Sequence, residues 1–181
     1  GKRLFDFAAG ALGLLVLSPV FLIFALWIIF DSPGPVFYLC ERYGRDGRKF
    51  RMFKFRTMYT GAHKMLSELR ANNEVSGPIF KMKNDPRITG FGRFLRRYYL
   101  DELPSLINVL KGEISLVGPR PHEPEEVIHY PQEYKHLILA KAGVTGLSQV
   151  SGASSLPFAK ELELDSHYVK NKSLRLDAKI L

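Results

Sequence analysis

Phe7-Ala-Ala-Gly-Ala-Leu-Gly-Leu-Leu-Val-Leu-Ser18-Pro19-Val-Phe-Leu-Ile-Phe-Ala-Leu-Trp-Ile-Ile-Phe30 runs for 24 residues without one charged side chain. A bilayer core takes about 20 apolar residues in helical form, so this stretch is long enough for a membrane. It is long for a buried core helix, and too long for a signal peptide, with no small-residue cleavage site after it. Ser18 and Pro19 stand near its middle. Proline inside a helix removes one backbone hydrogen bond and crowds the preceding turn. In lipid such a break is tolerated where neighbouring groups re-satisfy the freed carbonyl, and the Ser18 hydroxyl is placed to help. The flanks are basic: Lys2 and Arg3 before, then Arg42, Arg45, Arg48, Lys49, Arg51, Lys54 and Arg56 after, against only Asp31, Glu41 and Asp46. Basic flanks favour the cytoplasmic side. With both flanks on that side, the segment is expected to enter, bend at Ser18–Pro19 and leave on the same face.

The 181 residues carry 26 basic against 18 acidic side chains, a net charge of +8. That excess suits an anionic partner: nucleic acid, an anionic membrane surface or a phosphorylated substrate. The membrane segment favours the last two. Cys40 is the single cysteine, which excludes an internal disulfide and a multi-cysteine zinc site. The start at Gly1-Lys2-Arg3 and the end at Lys179-Ile180-Leu181 are abrupt, and neighbouring segments are expected beyond them.

Asp31-Ser-Pro-Gly-Pro35 is a breaker cluster that ends the apolar element. Val36–Cys40 reads as a short strand, Tyr43–Gly47 as a turn and Lys49–Met58 as a second strand. Ala62–Asn72 reads as an amphipathic helix and Gly92–Tyr98 as a short basic helix. Leu103, Leu106, Ile107 and Leu110 fall at i, i+3, i+4 and i+7, with Pro104 in the first turn and Gly112 as the stop, so a helix is expected there. Val117–Pro121 should be a rigid turn, and Glu123–Leu139 a helix interrupted at Pro131. Leu162–Val169 reads as helix. The fold class expected is α+β, mostly helical: a re-entrant helix-break-helix over residues 1–31, then a small domain of short helices with a minor β-sheet over residues 32–181, as one functional unit.

Asp101 and Glu102 are adjacent carboxylates at the start of the clearest predicted helix. Alone, they read as a helix cap and a first-turn acid. Arg93, Arg96 and Arg97 stand just upstream, and Arg120 follows in the proline-braced Gly118-Pro119-Arg120-Pro121. Arginines around two carboxylates suit a phosphate-rich substrate, because guanidinium matches phosphate oxygens bidentately. A carboxylate can attack phosphorus to give an acyl phosphate, and a second acid can hold Mg2+ against a diphosphate. Lys54 and Arg56 suit either lipid headgroups or a bound phosphate. The five histidines form no metal-ligand motif, and no Walker, dinucleotide-binding or nucleophile-elbow sequence is present. Basic–aromatic interleaving at Lys49–Met58 could stack on single strands, but no nucleic-acid fold signature accompanies it, so no nucleic acid is expected as a partner.

Taken together, the motifs resemble one family: the bacterial sugar transferases, or monotopic polyprenyl-phosphate phosphoglycosyl transferases. The resemblance spans nearly the whole chain. It rests on Lys2-Arg3-Leu-Phe-Asp6, Ser18-Pro19, Phe53-Lys-Phe-Arg56, Leu100-Asp-Glu-Leu-Pro104, Asn108-Val-Leu-Lys-Gly112 and Val117-Gly-Pro-Arg-Pro121. Gly143-Val-Thr-Gly146, Gln149-Val150 and Leu164-Asp165 with Tyr168-Val169 and Asn171 extend it. The resemblance implies transfer of a sugar 1-phosphate from a UDP-sugar to undecaprenyl phosphate at the cytoplasmic face of the bacterial inner membrane, initiating surface-glycan synthesis. It implies Asp101 as nucleophile, Glu102 as its partner, and both as holders of Mg2+. It also implies Arg120, Arg96, Arg97 and Pro119 at phosphate or nucleotide, Lys54 and Arg56 nearby, and Asp165 in a motif near the active site. Residues 32–181 would then be the interfacial catalytic domain, in contact with anionic membrane lipid. A homodimer is compatible with such an assembly. One departure stands out: where many members carry an arginine after the glycine following Gln149-Val150, this chain has Ala153. The competing reading is a non-catalytic, membrane-anchored scaffold that holds anionic lipid.

Overall fold

The computed structural model describes residues 1–69, 73–74 and 82–181. The chain is mostly helical, with two small two-stranded sheets. It packs as two compact units. The first comprises Gly1–Leu15, Cys40–Met52 and Ser105–Leu181, the second Val16–Leu39 and Phe53–Pro104.

Helix α1, Lys2–Asp31, contributes its N-terminal half to the first unit and its C-terminal half to the second. It is one 30-residue helix with Pro19 inside it. The expected division into two helices is therefore absent as an interruption: proline forfeits only its own N–H bond, and the flanking turns carry the helix across. At 1.5 Å per residue the helix is about 45 Å long. Leu12, Leu15, Val16, Leu22, Ile23 and Phe30 are exposed. Among the described residues, this is the one helix long and apolar enough to cross a membrane.

In the first unit, polar groups fasten the start of α1. Lys2 Nζ is 2.5 Å from Asp177 Oδ2. The Arg3 guanidinium donates to the carbonyls of Val109 and Leu110, at 2.6 and 2.7 Å, which are end-of-helix acceptors on α3 (Leu106–Lys111; α2 lies in the second unit). The buried Asp6 carboxylate accepts from the Ser115 hydroxyl at 2.8 Å and the Leu116 N–H at 3.2 Å. Strands β3 (Ser115–Val117) and β4 (Gly143–Thr145) pair in parallel, Ser115 opposite Gly143 and Val117 opposite Thr145. Helices α4 (Phe158–Asn171) and α5 (Leu174–Ile180) complete the unit. Its core gathers Val117, Tyr168 and Ile180 in one cluster and Tyr130, Leu137 and Leu162 in another.

Strands β1 (Phe37–Tyr43) and β2 (Lys49–Phe55) form a hairpin that runs through both units. Both strands end differently from the sequence expectation. β1 continues three residues past Cys40, and β2 stops before Arg56, whose guanidinium folds back on the breaker cluster.

The second unit is built on the C-terminal half of α1. Ile28, Phe55, Phe91 and Leu95 form its buried core, with Phe21, Phe24, Val36, Leu100 and Leu103 packed against it. Phe21 and Phe24 meet Phe55 edge-on at 5.1 and 5.8 Å, and Trp27 stacks on Phe91 at 4.8 Å. Such pairs each contribute about 0.5–1.5 kcal/mol beyond area burial. Helix α2, Gly90–Arg97, starts at Thr89, whose hydroxyl accepts the Gly92 N–H at 3.0 Å. Asp31, the last residue of α1, accepts the Phe91 N–H at 2.7 Å, so α1 itself caps α2. The helix expected over Ala62–Asn72 appears as a 3-10 turn, Ala62–Met65, and one α-turn, Leu66–Leu69; residues 70–72 lie outside the described residues.

Gly92 sits where α2 crosses the Thr57 backbone: a Cβ there would lie 2.1 Å from the Thr57 carbonyl oxygen. Gly92→Ala should therefore destabilise the protein by about 3 kcal/mol, the scale of an overpacked core site, read as a lowered unfolding midpoint in detergent. An unchanged midpoint would contradict this packing.

Candidate active site

Asp101 and Glu102 lie in a 3-10 turn, Leu100–Ser105, and the α-helix follows only at Leu106. The expected continuous helix from Leu103 is thus replaced by two elements. Side chains three apart eclipse in a 3-10 turn, so Leu100 and Leu103 fall on one side, against the core that contains α1. The two carboxylates between them are partly buried. Tyr99 enters the turn with φ 56°, a left-handed conformation uncommon for a bulky residue. Local strain of this kind persists only where surrounding packing holds it.

Lys54, Arg96 and Arg97 stand in the same unit. Lys54 of β2 places Nζ 2.6 Å from Glu102 Oε1, with both side chains less than one-fifth exposed. Arg96, in the last turn of α2, donates Nε to Thr57 Oγ1 at 2.8 Å. Its charge and that of Lys54 both act on Asp101. Burial is the largest influence on the Asp101 carboxyl and pushes it above the usual carboxylate range. Lys54 opposes that rise, the Glu102 charge adds to it, and Arg96 opposes it. Arg97 sits over the Tyr98 ring at 5.8 Å.

Arg56 has a different task from the one its sequence suggests. Its buried guanidinium donates to Pro35 O at 2.6 Å, Ser32 Oγ at 2.9 Å, Thr60 Oγ1 at 3.0 Å and Pro33 O at 3.3 Å, and also to Ser32 O. It closes the turn that follows α1. Ser18 and Pro19 are exposed on α1.

In the first unit, Pro119, Arg120 and Asp165 come together. The Arg120 N–H donates to Asp165 Oδ2 at 2.9 Å, and the Gly143 N–H donates to Pro119 O at 2.9 Å. Gly118 allows this approach, since a Cβ there would lie 2.6 Å from Gly143 N. Burial pushes the Asp165 carboxyl up, against the Ser148 hydroxyl and the Arg120 N–H that favour its charged form. Together with Tyr43, His122, Val127, Tyr130, Leu137, Ile138, Ala140 and Ala142, these residues line a small open pocket. Sequence reasoning missed three members of the surrounding cluster. His122 Nε2 is 2.8 Å from Glu161 Oε1, Tyr130 Oη contacts His122 Nδ1, and Arg120 Nε is 3.4 Å from the same Glu161 oxygen. A signal was present: His122 directly follows Pro-Arg-Pro, and Glu161 and Asp165 are four apart on one helix face.

Among the described residues, no group of three or more His, Cys, Asp or Glu side chains is arranged for a metal. Two adjacent carboxylates nevertheless fit Mg2+, which commonly takes one or two protein carboxylates and completes its shell with water and substrate phosphate.

The whole chain, residues 1–181, matches the family described as bacterial sugar transferase, and the chain belongs to that family. It is 42% identical over 184 residues to the undecaprenyl-phosphate galactose phosphotransferase of Salmonella typhimurium, covering 99% of this chain and 38% of that protein. It is 38% identical to the exopolysaccharide production protein ExoY of Sinorhizobium fredii, covering 99% of this chain and 81% of that protein. The UDP-glucose:undecaprenyl-phosphate glucose-1-phosphate transferase of Xanthomonas campestris is 39% identical over 189 residues, covering 99% of this chain and 37% of that protein. The chain thus spans well under half the length of the first and third of these relatives.

The raised Asp101 carboxyl has a stability consequence. A carboxyl raised in the fold binds its proton more tightly there than in the unfolded chain, so stability falls as pH rises from the ordinary carboxylate range through the raised value. Asp101→Asn removes that penalty. It should raise the thermal midpoint near neutral pH by a few degrees, at roughly 2–4 °C per kcal/mol for this size, and the gain should vanish in acid. A lowered midpoint at neutral pH would show that the fold needs the charge.

Proposed function

We propose that this chain is the catalytic part of a phosphoglycosyl transferase that moves a sugar 1-phosphate from a UDP-sugar to undecaprenyl phosphate. The observation that carries the reading is the carboxylate turn. Asp101 and Glu102 share one compact unit with Lys54 and Arg96, and their turn packs on the apolar α1. A lipid phosphate and a nucleotide sugar meet only at a membrane surface, and this unit joins an acid pair to a membrane helix. The relatives' names, which specify undecaprenyl phosphate, galactose and glucose, agree with this substrate class.

In the proposed reaction, an Asp101 carboxylate oxygen attacks the sugar-bearing β-phosphorus of the donor. A P–O acyl phosphate bond forms, the diphosphate bond breaks, and its electron pair leaves on UMP. A phosphate oxygen of undecaprenyl phosphate then attacks the same phosphorus. The Asp101 carboxylate is released and undecaprenyl diphosphate sugar is the product. Mg2+ bound by Asp101 and Glu102 would supply charge neutralisation on the diphosphate. Lys54 holds Glu102 and, with Arg96, favours the ionised, nucleophilic form of Asp101 against desolvation. Arg120, with Pro119 bracing it and Asp165 fixing its backbone, is the proposed phosphate ligand of the first unit. Arg97 is assigned to the same class by resemblance.

The membrane reading is re-entrant, with residues 1–31 embedded and residues 32–181 on the cytoplasmic face of the bacterial inner membrane, against anionic lipid. Its support is topological. Lys2, Arg3 and Asp6 bond to residues 109, 110, 115, 116 and 177, while Asp31 bonds to Phe91. Among the described residues after α1 there is no second candidate span. The re-entrant reading requires the partners of both helix ends to lie on one side of the bilayer. The Ser18–Pro19 step is the proposed bend.

UMP release from UDP-galactose and UDP-glucose, with undecaprenyl phosphate and Mg2+, tests the reaction. Asp101→Asn should abolish turnover and Glu102→Gln should lower it at least about 100-fold, as expected for groups at the reacting phosphorus. Without acceptor, about one UMP per enzyme should appear as a burst. In metal-free buffer, the pH dependence of the thermal midpoint should place the Asp101 carboxyl above the ordinary aspartate range, and Lys54→Met should move it higher still, because a charge that lowers the Asp101 pKa is gone. Full turnover by Asp101→Asn would end this reading.

A further inference from the structure

Glu161 is an unusual place for a carboxylate. Its side chain is 8% exposed, yet it meets two cationic or proton-bearing partners, Arg120 Nε at 3.4 Å and His122 Nε2 at 2.8 Å. A buried charge is costly unless its partners are well placed. Behind Glu161 the His122 ring, 1% exposed, contacts the Tyr130 hydroxyl through Nδ1 and packs against the rings of Tyr130 and Phe158. Burial pushes the Tyr130 phenol up, so it keeps its proton. The imidazole is held between two partners, Nδ1 against the phenol and Nε2 against Glu161. The chain Tyr130–His122–Glu161 therefore fixes one carboxylate orientation. One turn along α4, Asp165 takes the Arg120 backbone N–H at 2.9 Å. A single helix face holds both the main chain and the side chain of the proline-braced arginine.

We infer that Glu161 is a positioning residue for Arg120, and that His122 and Tyr130 keep Glu161 in place. The inference rests on the reading of Arg120 as a ligand of the donor's phosphates. Glu161 then does not touch substrate; it sets the orientation in which the guanidinium meets phosphate oxygens. A carboxylate present only to balance charge would not need a buried chain of contacts behind it.

A double-mutant cycle separates the two roles. KM for the UDP-sugar, kcat and the thermal midpoint are measured for Glu161→Gln, Arg120→Ala and the double variant, with UDP binding measured by calorimetry. Acting through Arg120, Glu161→Gln should raise KM by about tenfold, the scale of losing an outer supporting partner, with kcat within about twofold. In the Arg120→Ala background it should add less than about twofold to KM. Tyr130→Phe keeps the ring packing and removes only the hydroxyl. It should show the same pattern at about threefold, and it carries the test if Glu161→Gln does not fold. An equal KM penalty in both backgrounds, or no KM change in the Arg120 protein, overturns the inference while UMP release still upholds the transferase. Absence of both turnover and UDP binding in the unsubstituted protein would remove the transferase reading, and this inference with it.

Discussion

Leu100 and Leu103 pack on the core that contains the C-terminal half of α1, while the partly buried Asp101 and Glu102 between them in sequence meet the charges of Lys54 and Arg96. Everything proposed for this protein depends on that division. The spacing of three puts Leu100 and Leu103 on one side of the 3-10 turn, as it would in an α-helix. The left-handed Tyr99 and the missing N–H of Pro104 define the short turn. The same core ties the acid pair to the apolar α1 through Phe21, Phe24 and Ile28.

Packing an acid turn against an apolar helix raises the carboxyl's pKa, which opposes the ionised form a nucleophile needs. Lys54 and Arg96 resolve this conflict in part. They reach Asp101 from different elements, the end of β2 and the last turn of α2, and each is fixed by a bond of its own, Lys54 to Glu102 and Arg96 to Thr57. The close crossing of Gly92 over Thr57 therefore bears on Arg96 as well as on stability. Stability given up at Asp101 is the kind of local cost found at sites arranged for chemistry.

Much of this was legible in the sequence, for identifiable reasons. The apolar run, the mostly helical class and the acid pair follow from composition, periodicity and motif. The uninterrupted α1 was not, because a proline signal marks a lost hydrogen bond and leaves open how far the neighbouring turns compensate. The helix expected from Leu103 failed at its start because apolar spacing of i, i+3 serves a 3-10 turn as well as an α-helix. Arg56 read as a phosphate ligand, yet its donors close the Ser32–Pro35 turn, a long-range use that no local pattern announces. His122, Tyr130 and Glu161 are brought together from segments 8 and 39 residues apart in sequence, and only the fold shows it.

The most direct test of the account is the sidedness of α1, because a helix that truly spans would separate Lys2, Arg3 and Asp6 from the partners they bond. Single cysteines at Gly1 and Arg48, in a Cys40→Ser background, would be exposed to a membrane-impermeant maleimide. The account predicts that both sites react in inverted inner-membrane vesicles and neither reacts in intact spheroplasts. Labelling of one site from each side would show a spanning helix, and would contradict the placement of the carboxylate turn on a re-entrant support.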